Sequence, residues 1–421
     1  MSTPLPILLC PFCDAAHVLR PLPPGARARC RRCGSPLYAR RRGTVAAAAR
    51  LHLAAVPLFA AAHLLPFVGL ELGGREQTTT VLSAALALWR HGIWWLAALV
   101  FTLMFLVPLA RLLAALHLLR PLARGRLPSR AATTFRILER FRPWAMTDVY
   151  LMALVVAWAK LRDLGLLEPG PALFAFVAML ALLLGAEAVL EPLEVWERIA
   201  PQTRLTPAAL ATGRWIACPH CRQTLPADRE GRPCPRCGGR VHARTPGSLA
   251  RTTAWLLAAT FAYVPANLLP VMTVVWLGRG EPDTILSGVA ALYGAGLWPV
   301  ATVIFLASIV VPVAKILVLA GLLAGIRTGR IAHPRLATAL YRAVDAVGRW
   351  SMIDVFVVGI LTALVSAGRL ATVEPGPGIS AFAATVVFTM IAAHVLDPRL
   401  LWDRAGARHV RVPLRPAAAG A

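Results

Sequence analysis

The sequence predicts an all-α polytopic membrane protein with two tandem modules, each a small four-cysteine ribbon followed by four transmembrane helices. Three observations lead to this prediction. The composition is apolar and poor in charge, long apolar stretches recur along the chain, and all eight cysteines fall in two short polar segments, 10–33 and 218–237.

The composition excludes most classes of soluble protein. Of the 421 residues, 57% are hydrophobic and 15% are charged, whereas a soluble domain has about 25% charged residues. The formal charge is nevertheless +24, from 44 basic and 20 acidic residues. Apolar bulk with strong basicity is typical of a polytopic membrane protein whose charges lie in loops. It argues against a soluble enzyme or a secreted disulfide-rich protein. It also argues against a nucleic-acid partner, which needs a water-exposed basic face.

The apolar stretches are long enough to cross a bilayer. About 20 apolar helical residues are needed, because each residue of a helix rises about 1.5 Å. Eight stretches meet this length and predict eight spans: 51–70, 93–119, 144–167, 171–193, 252–277, 297–325, 350–368 and 378–396.

The second half of the chain repeats the first at an offset of 204 to 206 residues through the membrane part. The repeat predicts five regions: ribbon 1 (1–45), transmembrane module 1 (46–200), a linker with ribbon 2 (201–247), transmembrane module 2 (248–403) and a polar tail (404–421). The matching motifs are Leu-Leu-Pro at 64–66 and 268–270, Trp-x-Met-x-Asp-Val at 144–149 and 350–355, and Glu-Pro-Gly-Pro at 168–171 and 374–377.

Loop charge predicts the orientation in the membrane. Segments 1–50, 120–142, 196–251, 327–349 and 397–421 contain 36 of the 44 basic residues. An excess of Lys and Arg marks the cytoplasmic side. We therefore expect both termini and both cysteine segments in the cytoplasm, and the two modules in the same orientation, related by an axis along the membrane normal.

The cysteines form four Cys-x-x-Cys pairs. Each pair points two thiolates at one centre, and two pairs complete a tetrahedral site with four thiolate ligands. Segments this short bury little core, so metal would supply much of their folding energy. The spacing predicts two structural Zn²⁺ sites with these ligands: Cys10, Cys13, Cys30 and Cys33 in ribbon 1, and Cys218, Cys221, Cys234 and Cys237 in ribbon 2.

Other interpretations of the cysteines are weaker. A thioredoxin-like redox motif would need a βαβ context, and structural disulfides are disfavoured in a reducing cytoplasm. His17 and His220 lie inside the segments and could replace a ligand, although solvated loop histidines are the simpler interpretation. The gap between the pairs is 16 residues in ribbon 1 and 12 in ribbon 2.

Together, the two four-cysteine ribbons, the four spans after each, and the Leu-Leu-Pro and Trp-x-Met-x-Asp-Val motifs resemble the paraquat-inducible protein A family over about residues 8–403. The resemblance implies an inner-membrane protein of Gram-negative bacteria. It implies a periplasmic MCE-domain partner that forms a tunnel toward the outer membrane, and transfer of phospholipid between the inner membrane and that tunnel.

The chain contains only two lysines, Lys160 and Lys315, and both lie in predicted spans. Arg stays charged under essentially all conditions, whereas a desolvated Lys can lose its proton. Ionisable groups at membrane depth usually mark transport or proton paths. We therefore predict a polar pathway, made of Lys160, Asp163, Ser308, Lys315, Ser351 and Thr389. Snorkelling toward the interface remains the alternative for Lys160, and helix–helix packing the alternative for the hydroxyls.

Four prolines recur in pairs, Pro66 with Pro270 and Pro108 with Pro312. An interior proline removes a backbone hydrogen bond and kinks a helix, so each pair is expected to interrupt corresponding spans. Paired interruptions in repeated halves point to a binding region, although a tolerated kink explains them equally well.

The sequence contains no phosphate-binding glycine loop and no paired nucleophile and base, so we expect a transporter and not an enzyme. The favoured function is lipid transport for an MCE-type tunnel, with proton movement as its coupled step. Two alternatives stay open: a membrane-anchored zinc or thiol stress sensor, and a passive anchor for a periplasmic partner.

Overall fold

The repeated apolar stretches form helices that run between two ends of one bundle. The computed structural model describes residues 4–41, 43–72, 75–161, 166–276, 279–365, 371–405 and 419–420. Both cysteine ribbons lie at one end of the bundle, the ribbon end, and two small β-sheets lie at the opposite end, the sheet end. Because this organisation occurs twice along the chain, the predicted fold of tandem helical modules with four-cysteine ribbons is confirmed.

The first half of the chain contains ribbon 1 and module 1. The strands of ribbon 1 are β1 Leu5–Leu9, β2 Ala16–Val18, β3 Arg27–Arg29 and β4 Pro36–Ala39. Module 1 follows with α1 Val45–Leu64, β5 Val68–Leu72, β6 Arg75–Thr79, α2 Ser83–Arg90, α3 Trp94–Phe101, α4 Val107–Ala123, α5 Ala131–Phe141, α6 Thr147–Leu161, β7 Leu166–Pro169, α7 Pro171–Val189 and α8 Pro192–Ile199.

The second half repeats this order. The linker and ribbon 2 contain β8 Arg204–Leu205, α9 Pro207–Thr212, β9 Trp215–Ala217 and β10 Thr224–Pro226. Module 2 contains α10 Ser248–Leu268, β11 Met272–Trp276, β12 Arg279–Asp283, α11 Ile285–Gly294, α12 Trp298–Phe305, α13 Val311–Thr328, α14 Pro334–Val347, α15 Ile353–Leu364, β13 Ala371–Pro375, α16 Pro377–Val395 and α17 Leu400–Arg404, and β14 Ala419–Gly420 closes the chain.

Six stretches of the described chain are long and apolar enough to cross a membrane: Val45–Leu64, Trp94–Ala123, Pro171–Val189, Trp298–Thr328, Pro334–Leu364 and Pro377–Val395. The predicted third span corresponds to α6, which has only 15 residues. The predicted fifth span corresponds to α10, where polar residues such as Thr252, Thr253 and Asn267 lower the hydropathy. Each of the eight predicted stretches contains a helix. In the described chain, six of them belong to helical stretches with the length and hydropathy of a membrane span.

The two sheets at the sheet end are an addition that the sequence did not predict. In each module one strand pairs antiparallel on both sides, β5 with β6 and β7, and β11 with β12 and β13. The central strands are apolar and follow directly after a helix, so they extended the apolar runs of the first and fifth predicted spans. Pro66 and Pro270 consequently lie just beyond the ends of α1 and α10 and do not interrupt them.

Pro108 and Pro312 do lie inside long helices. A π-helical segment precedes each proline, Thr102–Leu106 before α4 and Leu306–Val310 before α13. Proline has no N–H, so the carbonyl four residues earlier loses its helical partner. In module 1 that carbonyl belongs to Met104, and Nε2 of His63 lies 3.3 Å from it. The distortion is therefore partly compensated by a side chain from α1.

The core joins the two modules. All twelve residues of α15 are buried, and α15 packs against α6 and α2 of the other module. Eight of these residues share one hydrophobic cluster with Phe67, Tyr150 and Phe176 of module 1. The two halves therefore share one continuous core around α15.

The ribbons cross over between the modules. The ribbon 1 cysteines pack in one cluster with Leu319, Tyr341 and Trp402 of module 2. The ribbon 2 cysteines pack with Leu118 and Phe135 of module 1. Each ribbon therefore packs against the module that does not directly follow it in the chain.

Candidate functional site

Each Cys-x-x-Cys pair sits in the same tight turn. The residue after the second cysteine is left-handed in all four turns: Asp14 (φ 55°), Gly34 (φ 72°), Arg222 (φ 58°) and Gly238 (φ 67°). The N–H of that residue donates to the carbonyl of the first cysteine, at 2.8–3.0 Å in Gly34→Cys30 and Arg222→Cys218. The turn fixes both thiols of a pair on one side of the backbone.

The sulfurs of each ribbon converge on one point. In ribbon 1 the Sγ–Sγ distances are 3.6 Å for Cys10–Cys33 and 3.5 Å for Cys13–Cys30. In ribbon 2 they are 3.5 Å for Cys218–Cys237 and 3.7 Å for Cys221–Cys234. All four sulfurs of a ribbon lie within 4.8 Å of one another. A tetrahedron with Zn–S bonds of about 2.3 Å separates its sulfurs by about 3.8 Å. The donor sets therefore fit a tetrahedral thiolate-bound metal.

The environment of the thiols favours metal binding. All eight cysteines are buried and none is in a disulfide. Hydrogen bonds among the sulfurs lower the pKa of Cys33 and Cys237 and raise that of Cys13 and Cys221, so protonation is shared unequally within each ribbon. Thiolates are the form that binds metal. Nε2 of His17 lies 3.3 Å from Sγ of Cys30, so His17 supports a ligand sulfur while the four cysteines complete the donor set.

Four of the predicted pathway residues lie in the interior of module 2. Ser308 in the π-helical segment, Ser351 in the 3-10 turn before α15, and Thr389 on α16 are all at most 1% exposed. Ser308 and Ser351 have hydroxyls with no hydrogen-bond partner in the described chain, whereas Thr389 donates to the carbonyl of Val386. The elements that hold them contact one another.

Lys315 is also buried, with 2% of its surface exposed. Its Nζ donates to the carbonyl of Gly348 at 3.3 Å, and Asp345 on α14 is the acidic residue that acts electrostatically on it. A Cβ at Gly348 would lie 3.6 Å from Nζ and 3.8 Å from Met390. The amine is therefore enclosed between α13, α14 and α16.

The other two predicted pathway residues belong to a different part of the molecule. Lys160 lies in the last turn of α6, at the sheet end of module 1, and its side chain is outside the description. Asp163 lies outside the described residues. The association of these two with the Lys315 group stays a prediction.

A cavity of about 640 Å³ lies between the modules and includes Lys315 in its wall. Sequence reasoning did not single out most of its charged residues. Arg111 Nη2 lies 2.6 Å from Glu187 Oε1, Arg142 Nη2 lies 3.6 Å from Glu187 Oε2, and Arg349 Nη2 lies 3.0 Å from Asp148 Oδ2. For Arg111, the sequence signal was the alignment of the two repeats, in which it holds the position equivalent to Lys315.

A second polar centre joins ribbon 1 to module 2. Asp397 accepts hydrogen bonds from Arg399 at 2.8–2.9 Å and from the N–H of Thr245 at 2.9 Å. Asp14 of ribbon 1 pairs with Arg244 at 2.6 Å and with Arg399 at 3.6 Å. Burial alone would raise the pKa of Asp397, but the hydrogen bonds from Arg399 lower it below its ordinary value. This centre stabilises the fold at the ribbon end.

Comparison with known proteins reveals clear relatives. Residues 45–200 and 249–406 each match the family described as Paraquat-inducible protein A. The chain is 34% identical over 408 residues to the intermembrane transport protein PqiA of Escherichia coli strain K12, covering 94% of this chain and 95% of that protein.

Two further relatives cover equally long stretches. The chain is 32% identical over 394 residues to the lipophilic envelope-spanning tunnel protein A of Escherichia coli strain K12, covering 94% of this chain and 90% of that protein. It is 30% identical over 412 residues to a probable intermembrane transport protein of Haemophilus influenzae, covering 95% and 97%. No solved structure matches the chain.

Proposed function

The chain belongs to the paraquat-inducible protein A family, and from this premise we propose that it is a lipid transport protein of the bacterial inner membrane. It transfers phospholipid between that membrane and a periplasmic tunnel formed by an MCE-domain partner. Relatives named for intermembrane transport and for a lipophilic envelope-spanning tunnel support this proposal. Transport without chemical conversion of the lipid makes it a carrier and not an enzyme.

The proposed orientation has the ribbon end in the cytoplasm. The Arg-rich segments lie at that end, and such segments stay on the cytoplasmic side. Large apolar side chains such as Leu113 and Phe174 are exposed on the outer helices, as expected for a surface that faces lipid. Trp89, Trp94 and Trp298 are more than half exposed near the sheet end, which suits the aromatic belt of the periplasmic interface.

The observation that carries the proposal is the buried amine of Lys315 in the wall of a charged cavity between the two modules. Burying a charge is costly, so buried ionisable groups in membrane proteins usually have a role in transport. We propose that protonation and deprotonation along Ser308, Lys315, Ser351 and Thr389 are coupled to movement of the modules. Lys160 and Asp163 form the entry of the same path from the periplasm.

The metal sites have a structural role in this proposal, with Zn²⁺ as the metal. A closed site with four cysteine ligands has no open position for chemistry. A thiol sensor needs an accessible, reactive thiolate, whereas each of the eight cysteines is at most 8% exposed. Burial therefore favours zinc as a scaffold for the ribbons over stress sensing.

The test is lipid transfer by Lys315→Met. The purified chain and the partner that co-purifies with it are reconstituted in vesicles, and movement of labelled phospholipid to acceptor vesicles is followed. We expect transfer to be lost, because Met fills the volume of Lys without carrying a proton. Lys315→Arg is expected to be inactive too, since a guanidinium keeps its proton. Leu317→Met, on the exposed face of the same helix, is the matched control.

Wild-type transfer by Lys315→Met, at equal abundance and equal melting temperature, would remove the coupling proposal. Wild-type transfer by variants at all the pathway positions would favour the passive anchor. Mass spectrometry of the purified complex identifies the partner and the lipid, and a complex without phospholipid would contradict lipid transport.

A further inference from the structure

The cavity between the modules is built from equivalent positions of the two repeats. Arg111 corresponds to Lys315, Glu139 to Asp345, and Leu184 to Met390, at offsets of 204 or 206 residues, and all of these line the cavity. Its volume of about 640 Å³ lies within the roughly 300–1,000 Å³ of small-molecule sites. The cavity therefore lies where the two halves of the molecule meet.

Two guanidinium groups line the module 1 side of the cavity, where Arg142 also pairs with Glu139 at 3.9 Å. The guanidinium groups of Arg111 and Arg142 converge on the single carboxylate of Glu187, at 2.6 and 3.6 Å. Nε of Arg111 is buried without a hydrogen-bond partner in the described chain. Buried donors are normally paired, and guanidinium groups bind phosphate through two parallel N–H donors. This side of the cavity is therefore suited to a phosphodiester.

Each module also supplies a further carboxylate to the lining. Asp345 lies beside Lys315 on the module 2 side, and Glu139 holds the equivalent position in module 1. Partial burial raises the pKa of Glu139 although Arg142 opposes the shift, and the Glu139 side chain stays 33% exposed. Two acidic groups in the lining are acceptors for a small ammonium group.

The remaining lining is apolar and reaches the outside of the bundle. Leu180 is buried, whereas Leu184, one turn further along α7, is 49% exposed on the surface that faces lipid. A ligand whose charged part occupies the cavity can therefore extend apolar chains along α7 into the bilayer. A free inorganic anion would make no contact with this apolar lining.

We propose that the cavity binds the headgroup of a zwitterionic aminophospholipid, its phosphate at Arg111 and Arg142 and its ammonium at Glu139 and Asp345. The acyl chains lie against α7. The inference rests on the proposed function and names the lipid class that the transporter takes.

The experiment is binding to the full chain purified in detergent, followed by thermal shift and native mass spectrometry. The probes are a short-chain phosphatidylethanolamine, a short-chain phosphatidylglycerol, glycerophosphoethanolamine and inorganic phosphate. We expect phosphatidylethanolamine to bind at least tenfold more tightly than the other three. The double variant Arg111→Gln/Arg142→Gln should weaken its binding at least tenfold, while Arg327→Gln, outside the cavity, should not.

Equal binding of phosphatidylglycerol would overturn the ammonium half of the site, and equal binding of inorganic phosphate would overturn the lipid assignment. Unchanged binding by the double variant would overturn the site itself. Arg111→Lys/Arg142→Lys keeps the charges and separates loss of bidentate binding from misfolding, because it should bind with intermediate affinity at an unchanged melting temperature. Binding with these preferences but without lipid transfer would contradict the proposed function and leave the headgroup site supported.

Discussion

Arg111 and Lys315 occupy equivalent positions 204 residues apart, but their partners differ. Arg111 pairs with Glu187 on α7, whereas Ala393 stands at the equivalent position of α16, so Lys315 has no such carboxylate and lies beside Asp345 on α14. Arg keeps its proton in any environment, and a desolvated Lys can lose it. The duplicated position therefore holds an ion-paired guanidinium in module 1 and a buried amine in module 2.

At the residue scale, lysine usage pointed to Lys315, because two lysines among 42 arginines are visible in the sequence. Asp345, Glu139 and Glu187 were not singled out. In the sequence Glu139 and Asp345 lie in Arg-rich segments and look like solvated loop residues, whereas Glu187 lies near the end of the predicted span 171–193. Only the packing of α14, α5 and α7 around the cavity shows that these groups face it.

We predict that Asp397→Asn destabilises the protein by about 2–4 kcal/mol at neutral pH, because it leaves the buried Arg399 without its main partner. The folded-state pKa of Asp397 lies below its ordinary value. Its contribution is therefore present above pH of about 4 and is lost as the pH falls through the folded-state pKa. Thermal unfolding in detergent at several pH values measures this, with the exposed Asp228→Asn as control. A difference between wild type and variant that does not shrink in acid would contradict it.

At the element scale, the repeated Glu-Pro-Gly-Pro motif has a clear structural purpose. Gly170 and Gly376 precede α7 and α16, and their N–H groups donate to the carbonyls of Phe67 and Val271. A Cβ at Gly170 would overlap the carbonyl oxygen of Pro66, and one at Gly376 would overlap that of Pro270. Only glycine allows the helix to start this close to the preceding strand.

Gly170→Ala and Gly376→Ala are each expected to cost more than about 2 kcal/mol, because the clash is with backbone that cannot move aside. Gly294→Ala is the matched control, since a Cβ there meets nothing within 4 Å; it should be neutral or stabilising by up to about 1 kcal/mol. Melting temperatures of the three variants in detergent decide the matter. An unchanged melting temperature for both motif variants would contradict the argument.

The ribbons give a second prediction at this scale. Purified protein should contain two zinc ions per chain by elemental analysis, and Cys218→Ser/Cys221→Ser should contain one. Removing a structural metal takes away much of the folding energy of a ribbon, so abundance should fall as well. Wild-type abundance with loss of a stress response would instead favour the sensor.

Some elements could be predicted from the sequence and others could not. Helices followed from apolar length, and the four-cysteine groups from spacing. The strands β5 and β11 were hidden because an apolar strand next to an apolar helix gives one continuous hydropathy signal, and only Pro66 and Pro270 mark the change. The short helices α2 and α11 fell inside segments expected to be loops.

At the scale of the whole molecule, the crossed ribbons join the two halves. Arg136 of α5 donates to the carbonyl of Cys237, and Arg335 of α14 donates to the carbonyl of Arg32. Arg32 also stacks over Trp402 at 4.5 Å. This arrangement could not be predicted from the repeat, because a repeat predicts equivalent local structure and leaves open which copy each ribbon contacts.

Because of the crossing, loss of metal from one ribbon should loosen the module that belongs to the other repeat. In Cys218→Ser/Cys221→Ser we expect faster amide hydrogen exchange in α4 and α5 of module 1, whose Leu118 and Phe135 pack on ribbon 2. The ends of α13 and α14 should change less, because they pack on ribbon 1. Cys10→Ser/Cys13→Ser is the reciprocal variant and should reverse the pattern. Faster exchange confined to the module that follows each ribbon in the chain would contradict the crossed packing, since loosening would then follow the repeat unit and not contact.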